Sequence, residues 1–307
     1  MNGMVETIQM NDGHQIIATV YQPLDTPRGH IHLMHGMAEH QLRYAEFANR
    51  LKDAGYLVST HDHRGHGQTA KQNEAPFGYF AEQDGFERVV KDAHEVIEHI
   101  QRHYGQFNIT LFGHSMGSFI ARRYSQLYSD SLHGAIYCGT GATTALHAAG
   151  NILAKLLTRV QGGHMPSELM NQLSFGSFNK NIANAITDFD WLCSEPKAVK
   201  AYMEDPMCGF VSTNQFFVDL TSGLLTLKKA TEIQKIRKHL PILMIAGAED
   251  PVGENGKGIY KVASALQKNG LENVVVYLFE GMRHEILNEK NKKHVYDVVI
   301  RWLEKNE

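Results

Sequence analysis

Hydrophobic and polar positions follow two different rhythms along the chain. Near the N-terminus, residues 5–10 and 14–22 alternate with the period of two that is typical of a strand. An Asn-Asp-Gly turn sequence lies between them, so the two segments predict an antiparallel hairpin. From residue 30 onward, short apolar segments alternate with longer segments of helical spacing. This alternation predicts an α/β fold with a mostly parallel central sheet and helices on both faces.

The second rhythm is interrupted once. Short apolar runs predict further strands at residues 30–34, 56–60, 108–112, 134–138, 241–246 and 273–279. Helical spacing predicts helices at residues 43–54, 85–104, 116–128, 211–227, 256–268 and 290–305. Between residues 141 and 205 no strand pattern occurs, and the chain is helix-like and irregular. We therefore predict an α/β core formed by residues 1–140 and 206–307, with residues 141–205 as a helical insertion.

Composition and charge narrow the classes of function. The chain of 307 residues is 43% hydrophobic and 21% charged, which is typical of a globular protein. Its net charge is −3, whereas a nucleic-acid-binding protein normally has a basic face, so we expect no nucleic-acid partner. The three cysteines lack zinc-site spacing, and neither a leader pattern nor a membrane-length apolar run occurs. We expect a reduced, cytoplasmic protein that uses no metal ion and no cofactor.

The most informative motif is Gly-His-Ser-Met-Gly at residues 113–117. It follows a predicted strand and begins a predicted helix, which is the context in which G-x-S-x-G presents a nucleophilic serine on a sharp turn. The glycines leave room for that turn, and the N-terminus of a helix favours a developing negative charge. Ser115 is therefore the candidate nucleophile.

A serine hydroxyl is a weak nucleophile at neutral pH, so it needs a base and a group that orients this base. With this motif, the chain order is serine, then acid, then histidine. Asp250 follows the late strand at 241–246 and is the candidate acid, with the neighbouring Glu249 as the alternative. His284 follows the last predicted strand and is the candidate base, whereas His294 falls within the final helix.

Two backbone N–H groups are expected to stabilise the oxyanion that forms during acyl transfer. One is the amide of Met116, directly after the candidate nucleophile. The other is the amide of Met37, because Gly36 allows the loop after strand 30–34 to turn toward Ser115.

The sequence His-Asp-His-Arg-Gly-His-Gly at residues 61–67 contains several potential metal ligands. No partner residues have the spacing of a zinc site, so a metal centre is not expected here. We expect a structural role instead, in which Asp62 or Arg64 supports the loop that carries the oxyanion donors.

These motifs resemble those of α/β-hydrolases in the monoacylglycerol lipase and lysophospholipase group, whose cores are grouped with the serine aminopeptidases. The similar segments extend in the family's order from residue 35 to residue 289 and read HGMAEH, HDHRGHGQT, GHSMGS, GAEDPVG and GMRHEILNE. The resemblance implies an α/β-hydrolase fold and assigns the same roles to the nucleophile, acid, base and two oxyanion donors named above. The chain departs from this group at Ser118, where another glycine is common, and we expect tighter packing under the nucleophile turn.

The same resemblance implies a function. Residues 141–205 would form a cap over the active site, and the protein would hydrolyse carboxylic esters, foremost monoacylglycerols or lysophospholipids. A small-ester carboxylesterase, a thioesterase and an aminopeptidase would use the same triad, the last with Glu39 or Glu168 holding the substrate's α-amine. A non-catalytic ligand receptor is the alternative from another class. The cap would allow transient contact with a membrane surface, and the sequence leaves the oligomeric state open.

Overall fold

The N-terminal hairpin forms as predicted and begins the central sheet. The computed structural model describes residues 3–307, in which β1 (Met4–Gln9) pairs antiparallel with β2 (Gln15–Tyr21). Gly13 lies in the turn with a φ of 87°, a left-handed conformation that glycine adopts without strain. β2 also pairs antiparallel with β4 (Leu57–His61), so the hairpin covers one edge of the parallel part of the sheet.

The other strands run parallel to one another. They are β3 (His30–Met34), β4, β5 (Ile109–His114), β6 (Leu132–Cys138), β7 (Ile242–Gly247) and β8 (Val274–Phe279). Within residues 3–307 the sheet has eight strands in the order β1-β2-β4-β3-β5-β6-β7-β8. The prediction of a mostly parallel α/β sheet is confirmed.

Helices connect the strands, and several of them cover the two faces of this sheet. In chain order they are α1 (Ala45–Asp53), α2 (Gly67–Gln72), α3 (Gly85–Tyr104), α4 (Met116–Tyr128), α5 (Ala145–Gln161), α6 (Glu168–Phe175), α7 (Pro196–Glu204), α8 (Asn214–Leu227), α9 (Ala230–Ile233), α10 (Lys257–Lys268) and α11 (Lys292–Lys305). Short 3₁₀ turns occur at Gln41–Tyr44, Ser129–Ser131 and Phe178–Asn181. The predicted core helices form with ends that differ by a few residues. Helix α2 was not predicted, because six residues are too few to show a helical period.

Two apolar layers enclose the sheet, because successive strand residues point to opposite faces. On one face, α3, α4, α8 and α10 pack over a layer that includes Leu111 and Met244. On the other face, α1 and α11 pack over a layer that includes Phe112 and Ile245. Burial on both faces explains why these strands are continuous apolar runs in the sequence. In the part of the chain that the structure describes, no helix is long and apolar enough to span a bilayer.

Helices α5 to α7 lie between β6 and residue 205, in the segment for which the sequence predicts an insertion. The chain that follows is tied back to them, since Ser167 N donates to Ser212 O at 2.9 Å and Asn214 N donates to Met165 O at 2.8 Å. Helix α8 also packs against α5. We propose that α5 to α7 form the cap and that α8 supports it from the core.

Candidate active site

Ser115 lies in the one-residue turn between β5 and α4, with a φ of 52° and a ψ of −119°. A side chain in this conformation is strained, and the surroundings hold it there. A Cβ atom on Gly113 would lie 2.2 Å from the carbonyl oxygen of Gly117, and one on Gly117 would lie 2.2 Å from the carbonyl oxygen of Met34. Both flanking positions therefore accept only glycine, and the turn is fixed by the close approach of strand, helix and loop.

Ser118 reinforces this turn from below. Its buried hydroxyl donates to the carbonyl oxygen of Ser115 at 2.5 Å, and its backbone N–H donates to the same oxygen at 2.8 Å. A glycine at this position would lack the hydroxyl bond. The departure from the family pattern thus adds a hydrogen bond under the nucleophile turn.

The loops after β7 and β8 bring an acid and an imidazole together. The Oδ1 atom of Asp250 lies 2.9 Å from Nδ1 of His284, and both side chains are buried. The N–H of Val252 donates to the same Oδ1 at 2.9 Å and orients the carboxylate. Glu249 is exposed, and His294 is exposed beside Tyr277, so neither occupies this place.

This pairing sets the protonation chemistry of the imidazole. Burial acts to lower the pKa of His284, but the charge and hydrogen bond of Asp250 outweigh burial and raise the pKa above its ordinary value. With Nδ1 hydrogen-bonded to the carboxylate, Nε2 is the nitrogen that can accept a proton from a hydroxyl. The neighbouring His114 ring lies 4.7 Å away, centroid to centroid. Burial and the nearby His284 lower the pKa of His114 to about 4, so that ring stays neutral.

Ser115 and His284 line one cavity of about 260 Å³. Core residues contribute the loop that contains Met37, and the predicted cap contributes aromatic walls, among them Phe175, Phe189 and Trp191. The lining combines these aromatic and apolar walls with polar and charged groups, as small-molecule sites do where polar groups fix the orientation of a ligand. The arrangement can therefore present an acyl ester to the Ser115 hydroxyl.

The loop after β3 approaches Ser115 closely. A Cβ atom on Gly36 would lie 3.2 Å from the Cβ atom of Ser115, and Ala38 has a φ of 52°. The carbonyl oxygen of Ala38 accepts hydrogen bonds from Tyr202 Oη and from Gly209 N, both at 2.9 Å. Met37 lines the cavity between these fixed points. The Met116 amide is the first N–H of α4, where no intrahelical acceptor exists.

Sequence reasoning missed a buried ionic chain behind this loop. Glu39 accepts hydrogen bonds from Gly36 N at 2.6 Å and from Arg43 Nη1 at 2.5 Å. Arg43 also makes two bonds to Glu285, at 2.6 and 2.7 Å, which connects the loop to the residue after His284. Burial alone would raise the pKa of Glu39, but Arg43 holds it below the ordinary value. Only the four-residue spacing of Glu39 and Arg43 was visible in the sequence.

Residues 61–67 support the site as expected through Asp62, but not through Arg64. Asp62 accepts the backbone N–H groups of Gln41 at 2.8 Å and Gln68 at 2.7 Å, next to the loop. Arg64 instead pairs with Asp92 on α3 at 2.5 Å, away from the loop.

Three potential metal ligands, His40, Asp205 and Cys208, also lie close together. Nε2 of His40 is 2.8 Å from Oδ2 of Asp205. A ligating imidazole usually donates its second N–H to an acceptor, and the buried Nδ1 of His40 has none among the described residues. The cluster therefore fits a hydrogen bond between cap and core better than a metal site.

Comparison with known proteins shows the family of this chain. The family model described as serine aminopeptidase, S33, matches residues 25–291. A monoacylglycerol lipase of Mycolicibacterium smegmatis is 27% identical over 300 residues, which cover 95% of this chain and 93% of that protein. A monoglyceride lipase of Rattus norvegicus is 25% identical, over 91% of this chain and 82% of that protein.

A solved structure agrees with these relatives. The carboxyl esterase from Bacillus coagulans in complex with glycerol superposes with a TM-score of 0.92 at 28% identity, over 99% of each chain. The resemblance inferred from the motifs is confirmed. Because the family model covers most of its length, the chain belongs to the serine aminopeptidase S33 family and is a hydrolase with the α/β-hydrolase fold.

Proposed function

We propose that this protein is a carboxylic ester hydrolase that cleaves monoacylglycerols through an acyl-enzyme on Ser115. One observation carries the proposal: the strained Ser115 shares a cavity with His284, whose imidazole is hydrogen-bonded to buried Asp250. These are the nucleophile, base and orienting acid that acyl transfer requires.

In the acylation step, Nε2 of His284 takes the proton of the Ser115 hydroxyl as its oxygen attacks the ester carbonyl. Asp250 stabilises the imidazolium that forms, without itself becoming protonated. The amides of Met37 and Met116 donate to the oxyanion, which the N-terminal end of α4 also favours. When the tetrahedral intermediate collapses, His284 returns the proton to the departing glycerol oxygen.

Deacylation repeats these roles with water as the nucleophile. His284 takes a proton from water, the hydroxide attacks the acyl carbonyl, and the bond to the Ser115 oxygen breaks. The fatty acid leaves and Ser115 regains its proton from the imidazolium. The neutral ring of His114 beside His284 adds no competing charge during either step.

The charges around the cavity favour a neutral head group. Among the described residues that line it there is no lysine or arginine, but there are three carboxylates: Glu39, Asp188 and Glu285. Arg43 lies behind the wall, and both of its carboxylate partners are wall residues. This net negative charge would repel the phosphate of a lysophospholipid, whereas an uncharged glycerol head group would not be repelled. The names of the relatives, monoacylglycerol and monoglyceride lipases, point the same way.

The aminopeptidase alternative loses one of its candidate anchors. Glu39 would have to bind a substrate α-amine, but its oxygens already accept hydrogen bonds from Gly36, Arg43 and Tyr44. Glu168 is exposed at the start of α6 and does not line the cavity. Small-ester carboxylesterase and thioesterase activities use the same groups and are separated from the proposal by substrate.

We further propose that the cap makes transient contact with a membrane surface. Helices α5 and α6 and the segments after them expose large apolar side chains of types that are usually buried. These residues are Leu146, Ile152, Leu156, Val160, Met165, Leu169, Leu173 and Ile186. Leu169 and Leu173 lie four residues apart on one face of α6, whereas Asn171 and Phe175 of the same helix line the cavity from another face. Exposed apolar side chains in this number on one segment favour lipid contact.

We also propose a reducing, cytoplasmic location. The three cysteines are free thiols, which supports it.

Labelling with a fluorophosphonate, followed by intact mass and peptide mapping, tests the proposal directly. We expect one adduct on Ser115 in the wild-type protein and none in Ser115→Ala. A panel of long-chain monoacylglycerol, lysophosphatidylcholine, aminoacyl amide and thioester should then show highest kcat/KM for the monoacylglycerol. Equal labelling of the variant, or the absence of an adduct, would favour a ligand receptor. If another member of the panel has the highest kcat/KM, that substrate class replaces monoacylglycerol in the proposal.

A further inference from the structure

The proposed cap and the catalytic histidine are joined by a short piece of chain. We call residues 190–194 the cap arm and residues 280–289, which follow β8, the histidine loop. The guanidinium of Arg283 donates from Nη1 to two carbonyl oxygens of the arm, Asp190 O at 2.7 Å and Cys193 O at 3.1 Å. One side chain of the loop therefore binds the arm at two points.

Backbone contacts continue along the same seam. The N–H of Glu285 donates to the carbonyl oxygen of Leu192 at 2.6 Å. The ring of Trp191 lies 5.2 Å from the ring of His284, centroid to centroid. The arm thus forms one wall around the imidazole, and a shift of the arm would move the loop on which the imidazole stands.

Glu289 fixes this seam with both carboxylate oxygens. Its Oε1 accepts the N–H of Ser194 at 2.9 Å and the N–H of Arg283, also at 2.9 Å. Its Oε2 accepts the hydroxyl of Ser194. The side chain is 2% exposed, and none of these donors is a charged group. Burying a carboxylate costs free energy unless hydrogen bonds compensate it. The three hydrogen bonds to Glu289 provide that compensation.

We propose that Glu289 is a positioning residue, which fixes the histidine loop to the cap arm and so holds His284 in line with Ser115. The inference rests on the proposed function, because it assumes that His284 is the base. Glu289 does not line the cavity and touches no substrate. It acts through Arg283, the residue next to His284, and through Ser194 at the end of the arm.

The hydrogen-bond pattern allows a sharp choice of variants. In Glu289→Gln, the amide oxygen can keep both N–H bonds while the amide nitrogen donates to the Ser194 hydroxyl, which is able to accept. That variant removes the charge and preserves the geometry. Glu289→Ala removes all three bonds. Glu280→Ala is the matched control, because Glu280 is exposed in the same loop.

Hydrogen exchange and kinetics together test the proposal. In Glu289→Ala the amides of Ser194, Arg283 and Glu285 should exchange faster, and kcat for p-nitrophenyl butyrate per titrated active site should fall about 10- to 100-fold with little change in KM. The acid limb of the pH profile of kcat/KM should move to lower pH, because a displaced His284 loses part of its contact with Asp250. Glu289→Gln and Glu280→Ala should behave as the wild-type protein does.

The proposal is overturned if Glu289→Ala keeps the wild-type pH profile and kcat within about twofold per active site, since a structural role would lower only the folded fraction. It is also overturned if Glu289→Gln loses as much activity as Glu289→Ala. If the wild-type protein has no esterase activity, the proposed function fails instead. Unchanged exchange at Ser194 and Glu285 in Glu289→Ala would still show that Glu289 does not fix the histidine loop to the cap arm.

Discussion

The carboxylate of Glu39 accepts the backbone N–H of Gly36 at 2.6 Å, so a side chain holds the turn of the loop that faces Ser115. The other carboxylate oxygen binds Arg43, which continues to Glu285. A loop that has to present one amide to an oxyanion is thereby fixed by a buried charge pair and not by its own backbone alone.

Replacing Glu39 with alanine should therefore affect both stability and rate. Loss of one member of a buried ion pair leaves Arg43 with a single carboxylate partner and should lower the free energy of unfolding by about 3 kcal/mol. Freed from its anchor, the Gly36 turn should misplace the Met37 amide and slow fluorophosphonate labelling about 100-fold. Urea denaturation and labelling rates measure the two effects. Glu46→Ala, an exposed site on α1, is the control, and equal behaviour of both variants would contradict the role of Glu39.

Gly117→Ala should prevent correct folding around the nucleophile turn. The new methyl group would lie 2.2 Å from the carbonyl oxygen of Met34, a backbone atom that cannot move without shifting β3. We expect the free energy of unfolding to fall by about 1–3 kcal/mol or more, which is the cost of overpacking a well-packed site, and the denaturation midpoint to fall with it. Gly150→Ala gives the opposite sign, because its Cβ would be 3.7 Å from the nearest side chain and alanine favours the helix by about 0.5–1 kcal/mol. Similar midpoints for both variants would reject the steric argument.

Asp250→Asn should remove most of the activity without unfolding the protein. Asparagine keeps a hydrogen-bonding group near Nδ1 of His284 but loses the charge, so kcat should fall about 10⁴-fold. The pKa of His284 lies above its ordinary value because Asp250 outweighs burial, so residual activity should persist to lower pH in the variant than in the wild type. A pH profile of kcat/KM on both proteins checks the direction. An acid limb that stays in place would show that another group titrates there.

Acid should unfold this protein through a group of buried histidines under the oxyanion loop. Burial lowers the pKa of His30 and His61 to about 3 and that of His66 to about 4, and it also lowers the pKa values of His32, His35 and His63. In the unfolded chain these imidazoles bind protons near pH 6.5, so the unfolded state takes up more protons as the pH falls. The stability that depends on keeping these histidines neutral is therefore fully present above about pH 6.5 and is lost as the pH falls toward 4.

Urea midpoints measured between pH 7.5 and pH 4.5 should decline steeply and report an uptake of several protons on unfolding. In His63→Phe the decline should be shallower by about one proton, because both ring nitrogens of His63 are buried without partners among the described residues. His103→Gln, on the exposed end of α3, should leave the slope unchanged. A midpoint that does not depend on pH would mean that these histidines are accessible to protons in the folded state.

Local sequence signals were sufficient to predict the sheet and the core helices, and they also selected the three candidate triad residues. The parallel strands are short apolar runs, and Ser115, Asp250 and His284 each lie in the segment that follows one of them, so their position along the chain fixes their edge of the sheet. The Glu39–Arg43–Glu285 chain and the contact of Glu289 with Ser194 were not predictable. They join side chains up to 242 residues apart, and nothing in a charge pattern says which distant partner a buried carboxylate will meet.

The positive φ of Ser115 has a consequence for evolution as well as for chemistry. Glycine would adopt this backbone conformation without the penalty of about 1–3 kcal/mol that a side chain incurs there. Selection for thermal stability alone would therefore favour replacing Ser115 with glycine. A substitution that stabilises the fold at this position would abolish the proposed catalytic activity. The chain keeps at its centre a residue without which it would be more durable and inert.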